Sequence, residues 1–287
     1  MNLRKTLMAA FLGMTVMSGS AFAEVSYQHV RNATGKLAYN DTVFLIDPML
    51  AEKGRYEGFA GSFNSEVRNP KVELPETKED VLKDVDALIV THTHSDHWDE
   101  VAQQFIDKDI PVFVQDEKDA AEIRREGFKN VQVLDKKIDF QGVRLTRIEG
   151  THGTEAMYEN KKLSAVLGES MGVVFQADGE HTSYLMGDTV WTPRVTKTLQ
   201  NYNPDILIMN TGYAKTLDYN ESIIMGTEDV AKAASLMPDA KIIAVHMDAI
   251  NHCTVSRQNM RDFIKSKNLT KQVAVPEDGE FIRFDKK

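Results

Sequence analysis

The sequence predicts an α/β protein built as an αββα sandwich, two mixed β-sheets packed face to face and flanked by helices. Two observations carry this. Short β-prone runs crowd the first part of the chain, and from residue 86 apolar runs of strand length alternate with helical periods. A β-rich stretch followed by such alternation is how two sheets come to lie between helix layers. No repeat, low-complexity tract or linker interrupts residues 24–287, which read as one domain.

The elements follow in order. "VSYQHVR", "GKLAYN" and "TVFLIDP" read as strands, the last two joined at "AYND", where Asn and Asp tolerate turn backbone angles. Residues 49–76, rich in Gly, Pro and polar residues, read as a long loop of the kind that often serves function. Then come strand "DALIVT", helix "DEVAQQFIDK", strand "PVFVQ", helix "EKDAAEIRREG" and strand "VQVLD". "GVRLTRIEG", "MGVVFQAD" and "HTSYLMGD" are further strands, the last two turning at the "GE" of "ADGEH". "TPRVTKTLQNY" is a helix with Thr192 as N-cap and Pro193 in its first turn. Strand "DILIMN", helix "TEDVAKAASLM", strand "KIIAVHM", helix "TVSRQNMRDFIKSK" and strands "QVAV" and "EFIRF" complete the chain.

The segment before this domain has a different character. Residues 1–23 join a basic start, Arg4 and Lys5, to an apolar run and an Ala21-Phe22-Ala23 end, the pattern of a cleavable secretory signal. The apolar run is too short to span a bilayer comfortably, so a stable membrane anchor is not expected. The domain is expected in the periplasm or outside the cell. Its removal takes two basic and no acidic residues, moving the net charge from −9 to −11. That acidity argues against nucleic acid as a partner, since phosphate backbones need clustered Lys and Arg. A small-molecule substrate, anionic or ester-like, is the expected partner. Cys253 is the single cysteine, so no intramolecular disulfide can form.

Histidine carries the functional signal. Three of the eight histidines stand within "HTHSDH", directly after the apolar run "DALIV". His152, Asp188 and His246 each end a strand-like run as well. Strand C-termini are where open α/β sheets gather ligand sites. Neutral imidazole and carboxylate are donors for zinc and its first-row neighbours. In an extended segment, His92 and His94 point the same way and can grip one ion. As the chain turns toward the following helix, Asp96 and His97 are redirected to a second position. Two dications against two carboxylates leave a site favourable to hydroxide and anionic groups.

This constellation resembles the metallo-β-lactamase-fold hydrolase superfamily, over most of the domain. The matching features are "LIDP", "HTHSDH", then His152, Asp188 and His246 in that order. The branch it most resembles includes ascorbate-6-phosphate lactonase. The resemblance implies a dinuclear metal hydrolase in which a bridging hydroxide attacks an ester, lactone or phosphodiester. By carry-over, His92, His94 and His152 hold the first ion and Asp96, His97 and His246 the second. Asp188 bridges, and Asp47 orients ligands from behind. The ions are two divalent metals, zinc first and manganese as the rival. An Asp stands where many true zinc β-lactamases carry a cysteine ligand, which argues against antibiotic hydrolysis.

Asp96 could also relay the nucleophile's proton, and His252 could donate a proton or stabilise an oxyanion. Trp191, Tyr213, Arg55 and Tyr56 are candidate pocket residues. Two competing readings remain: a non-catalytic periplasmic zinc-binding protein, and a di-iron oxidoreductase on the same fold.

Overall fold

The computed structural model describes residues 25–285. The expected signal segment, residues 1–23, lies outside the described residues. Two seven-stranded sheets form the body of the molecule.

The first sheet contains β1 (Ser26–Arg31), β2 (Thr34–Tyr39), β3 (Thr42–Ile46), β4 (Ala87–Val90), β5 (Pro111–Val114) and β6 (Asn130–Val133). The second contains β7 (Lys137–Phe140), β8 (Val143–Glu149), β9 (Met171–Gln176), β10 (Ser183–Leu185), β11 (Ile206–Asn210), β12 (Lys241–Val245) and β13 (Val273–Ala274). β14 (Phe281–Arg283) returns to the first sheet beside β1. In each sheet one half is antiparallel. β3 to β6 and β10 to β13 are parallel. The strands at the centre of these parallel halves read as unbroken apolar runs because both of their faces are covered.

Helices α1 (Lys78–Leu82), α2 (Glu100–Phe105) and α3 (Glu117–Arg125) cover the first sheet. α6 (Pro193–Tyr202), α7 (Thr227–Leu236) and α8 (Arg257–Ser266) cover the second, while α4 (Glu155–Glu159) and α5 (Lys161–Leu167) lie between β8 and β9 in sequence. Phe44, Ile46, Ile89 and Phe113 of one sheet meet Leu145, Val173, Phe175 and Ile208 of the other in the central core. Ala102 and Ile123 pack on the outer face of the first sheet, and Val195, Val230 and Met260 on that of the second.

The αββα sandwich expected from sequence is the fold. At the "AYND" turn both Asn40 and Asp41 have positive φ, as a tight hairpin with the sheet's twist requires. The second hairpin differs from expectation. Glu180 donates its N–H to the carbonyl of Ala177, so Asp178 and Gly179 occupy the turn, with Gly179 at φ 80°. The strand expected at 181–188 is only Ser183–Leu185, because Gly187 at φ 67° turns the chain out of the sheet just before Asp188. The helix expected to run to Lys108 ends at Phe105, where Ile106 turns extended. β7, α1, α4 and α5 are elements beyond the sequence reading. All have seven residues or fewer, which leaves no room for a recognisable period.

Candidate metal centre

All seven expected donors converge at one end of the sandwich, each delivered by the chain leaving a strand. After β4 the amides of His97 and Trp98 both donate to the carbonyl of His94, at 2.9 and 2.8 Å, closing a tight turn. That turn separates the paired side chains of His92 and His94 from those of Asp96 and His97. Asp99 then caps α2, accepting from the amide of Ala102 at 2.7 Å.

Three groups of donors lie with their ligand atoms within 4.8 Å of one another. These are His92, His94 and His152; His92, His97 and Asp188; and Asp96, His97 and His246. His92 Nε2 is 3.0 Å from His94 Nδ1, and His97 Nε2 is 3.0 Å from His246 Nε2. Asp188 touches both outer groups. Its Oδ2 is 3.2 Å from His97 Nε2 and 3.7 Å from His152 Nε2, and its Oδ1 is 3.7 Å from His246 Nε2. Asp96 Oδ2 lies 3.3 Å from His246 Nε2.

The remaining nitrogens are held from behind, as metal-ligating imidazoles require. His97 Nδ1 lies 2.8 Å from Asp47 Oδ2, whose carboxylate also accepts from the amide and hydroxyl of Thr91, each at 2.7 Å. His152 Nδ1 meets the carbonyl of Ile223 at 3.0 Å, and His94 Nε2 that of Val166 at 2.8 Å. His246 Nδ1 faces Cys253 Sγ at 3.5 Å. Asp47 and His246 both sit at positive φ, 44° and 62°. Non-glycine residues pay for that conformation, and such strain gathers at functional sites.

The charged groups of the site shift one another. Burial opposes the charge on His97, but Asp188, Asp96 and Asp47 outweigh it and push its imidazole up to about 10. His246 is raised for similar reasons, burial being overcome by Asp188 and its other partners. Burial also opposes ionisation of Asp96 and Asp188, yet the neighbouring histidines hold both well below the usual carboxylate range. His152, by contrast, is pushed down to about 4 by burial and stays neutral, ready to donate a lone pair. Five imidazoles and two carboxylates, with no lysine or arginine among them, are a donor set that fits one or two divalent ions.

The donors open onto a cleft of about 560 Å³. Phe59, Leu163, Val166, Leu167 and Ile223 make its apolar walls, and Lys162 and Lys215 also line it. His252 lines the cleft too. Its ring meets Phe59 edge-on at 4.9 Å, and its buried Nδ1 has no hydrogen-bond partner among the described residues. Burial pushes this imidazole down to about 4.

The four expected pocket residues lie elsewhere. Trp191 packs against α6, donating to Thr196 Oγ1 at 3.1 Å, with Lys232 over its ring. Tyr213 is at φ 49° and turns its ring against Gly226. Arg55 faces solvent beside Glu52, and Tyr56 packs with Met49 and its neighbours under the long loop. Trp191 and Tyr213 follow strand ends, but the chain turns there and carries their rings away from the cleft; of the long loop, residues 59–62 reach the cleft and Arg55 and Tyr56 do not. Phe59, Leu163 and Val166 were overlooked for lack of any local pattern. Two supporting residues were also overlooked. Asn210 donates to Asp188 Oδ1 at 2.6 Å. Asn32 donates from its side chain to the Asp96 carbonyl at 3.0 Å and accepts the His246 amide at its own carbonyl, also at 3.0 Å. Asn210 ends a strand as the ligands do, which could have drawn attention to it.

Comparison with known proteins agrees with this geometry. Residues 42–247 match the family described as Beta-lactamase superfamily domain. The UPF0173 protein YddR of Bacillus subtilis is 42% identical over 255 residues, covering 89% of this chain and 98% of its own. A possible metal-dependent hydrolase from Veillonella parvula superposes with a TM-score of 0.90 at 49% identity, over 91% of this chain and 100% of its own. An isothiocyanate hydrolase from Delia radicum gut bacteria follows with a TM-score of 0.87 at 45% identity, over 90% and 99%. These relatives establish the superfamily, not the lactonase branch within it. The chain belongs to the β-lactamase superfamily, among its metal-dependent hydrolases.

Proposed function

We propose that this chain is a dinuclear hydrolase acting on a small electrophilic carbon that carries an apolar tail, with isothiocyanates as the first substrate class. The observation that carries the reading is the cleft, whose apolar walls descend directly to a cluster of metal donors. Lys162 and Lys215 line the same cleft and could meet an anionic group, so phosphodiesters stay in the comparison. The 45% identity to an isothiocyanate hydrolase over nearly its whole length supports the choice of substrate. Esters and lactones share the electrophilic carbon and remain the comparison class.

His92, His94 and His152 would hold one ion, Asp96, His97 and His246 the other, with Asp188 shared. Zinc suits the imidazole-rich set, and manganese is the rival. Bound divalent ions would supply Lewis acidity and a water acidic enough to ionise near neutral pH. Asp96, whose Oδ2 lies among the donors 3.3 Å from His246 Nε2, would accept that water's proton. His252, neutral at pH 7, offers a hydrogen bond to charge developing on the substrate's heteroatom. Water adds to the central carbon, the carbon–nitrogen bond breaks, and the amine and carbonyl sulfide leave. Residues 1–23 would direct export, so that mature protein recovered from the exported fraction would begin at Glu24.

The test is metal analysis of residues 24–287, followed by a panel of isothiocyanates, lactones, esters and phosphodiesters. About two ions per chain and preferred isothiocyanate turnover, abolished by chelation, is the expected result. A single tightly held zinc with no turnover would support the zinc-binding protein instead, and iron would revive the redox reading.

A further inference from the structure

Asn251, next to His252, is fully buried, and every polar atom of its side chain is engaged. Oδ1 accepts from the Phe59 amide at 3.1 Å and from Asn69 Nδ2 at 2.7 Å. Nδ2 donates to Ser62 Oγ at 2.9 Å and to the Phe63 carbonyl at 2.7 Å. Its backbone joins in, the amide donating to Asn69 Oδ1 at 2.9 Å and the carbonyl accepting from Asn64 Nδ2 at 3.2 Å. An asparagine side chain has two donor hydrogens and two acceptor lone pairs, so this one is saturated. All its partners belong to residues 59–69, the stretch whose residues 59–62 wall the cleft opposite α5. A second seam runs alongside. The Lys215 amide donates to the His252 carbonyl at 3.0 Å, and the Phe63 amide to the Lys215 carbonyl at 3.2 Å.

We infer that Asn251 is a positioning residue for substrate, which locks the 59–69 loop to the strand-end turn that follows β12 and so fixes Phe59 against the substrate tail. The loop has no helix or strand of its own to hold it. Backbone bonds anchor it at Gly61, which accepts from the Leu217 amide at 2.9 Å, and at Asn69, which exchanges bonds with Tyr56 at 2.8 Å; Asn251 is the side chain that ties Phe59, Ser62, Phe63, Asn64 and Asn69 to the turn carrying His252. Asn251 touches none of the seven metal donors, so its influence falls on binding of the tail and not on the ions. The nature of the tail rests on the proposed function; the clamp itself does not.

The experiment compares the wild-type protein with Asn251→Asp, an isosteric change that removes both Nδ2 donations, and with Asn64→Gly, which removes one peripheral bond at a position whose φ of 53° glycine adopts without strain. Metal content and melting temperature serve as controls for folding. With phenethyl isothiocyanate, Asn251→Asp is expected to raise KM about 10-fold while kcat stays within about 3-fold; with methyl isothiocyanate KM should change less than about 3-fold. Asn64→Gly should lie between wild type and Asn251→Asp. Binding of 3-phenylpropanoate to the metal-loaded proteins, followed by calorimetry, gives the same comparison without turnover and should weaken about 10-fold. Equal KM effects on both substrates, or unchanged phenylpropanoate binding in a folded, metal-replete variant, would overturn the assignment. So would loss of metal in step with loss of kcat. Absence of isothiocyanate turnover in the wild type would sink the proposed function, and the phenylpropanoate comparison would still decide the role of Asn251.

Discussion

Asp188 is where the two donor groups meet, and its neighbours state its role. Asn210 fixes one carboxylate oxygen while His97 and His152 face the other. Asp188→Ala is therefore expected to cost at least one of the bound ions and most activity, read by metal analysis beside turnover. Asp47 works one step further out, through His97 and Thr91. Asp47→Ala should weaken metal affinity or activity about 10–100-fold, measured by competition with a chromophoric chelator. His252→Ala should lower kcat about 100-fold with the metal content unchanged. These seven donors were legible in the sequence because metal ligands must be His or Asp, and because each ends an apolar run. The cleft walls were not legible. Apolar side chains such as Val166 and Leu163 look the same in a core as in a pocket, and only the path of the chain distinguishes them.

At the scale of elements, legibility follows length and capping. The helix starting at Thr192 was readable because Thr192 and Pro193 mark its first turn, and Thr192 Oγ1 does accept from the Val195 amide. Thr192→Ala should cost about 1 kcal/mol, seen as a melting temperature lower by roughly 2–4 °C. α4 and α5 escaped because five and seven residues carry too little periodic signal. Yet α5 shapes the site, since the Val166 carbonyl orients His94 while its side chain lines the cleft. Just before α4, Gly153 at φ 137° lies where an added Cβ would crowd the side chains of Leu167 and Met157. Gly153→Ala should disturb this turn and with it His152, which would appear as weakened metal binding in the first group.

At the scale of the molecule, charge linkage sets the response to pH. His29, in β1, is buried beside Asp278, which also pairs with Arg257. Burial keeps its imidazole below the ordinary value, and the pull of Asp278 does not fully offset this. The unfolded chain therefore takes up a proton near pH 6.5 that the folded chain refuses, so stability falls as pH drops through that value. A His29→Gln variant should flatten this part of the stability curve between about pH 7 and 5, measured by denaturant unfolding of chelated protein. The sandwich itself was legible from the succession of strands and helices. The pairing of β14 with β1 was not, because nothing local in a three-residue strand names its partner.

His97 and His246 stand 149 residues apart in sequence, yet their ring nitrogens face each other at 3.0 Å, one reached from each sheet. An ion held between them would act as a cross-link closing a very long loop, in a chain whose single cysteine can form no internal bridge. Ions so placed would be rivets through the seam of the two sheets. Stripping them should quicken unfolding of the whole sandwich and leave it open to proteolysis at the seam, well beyond the few residues that touch the metal.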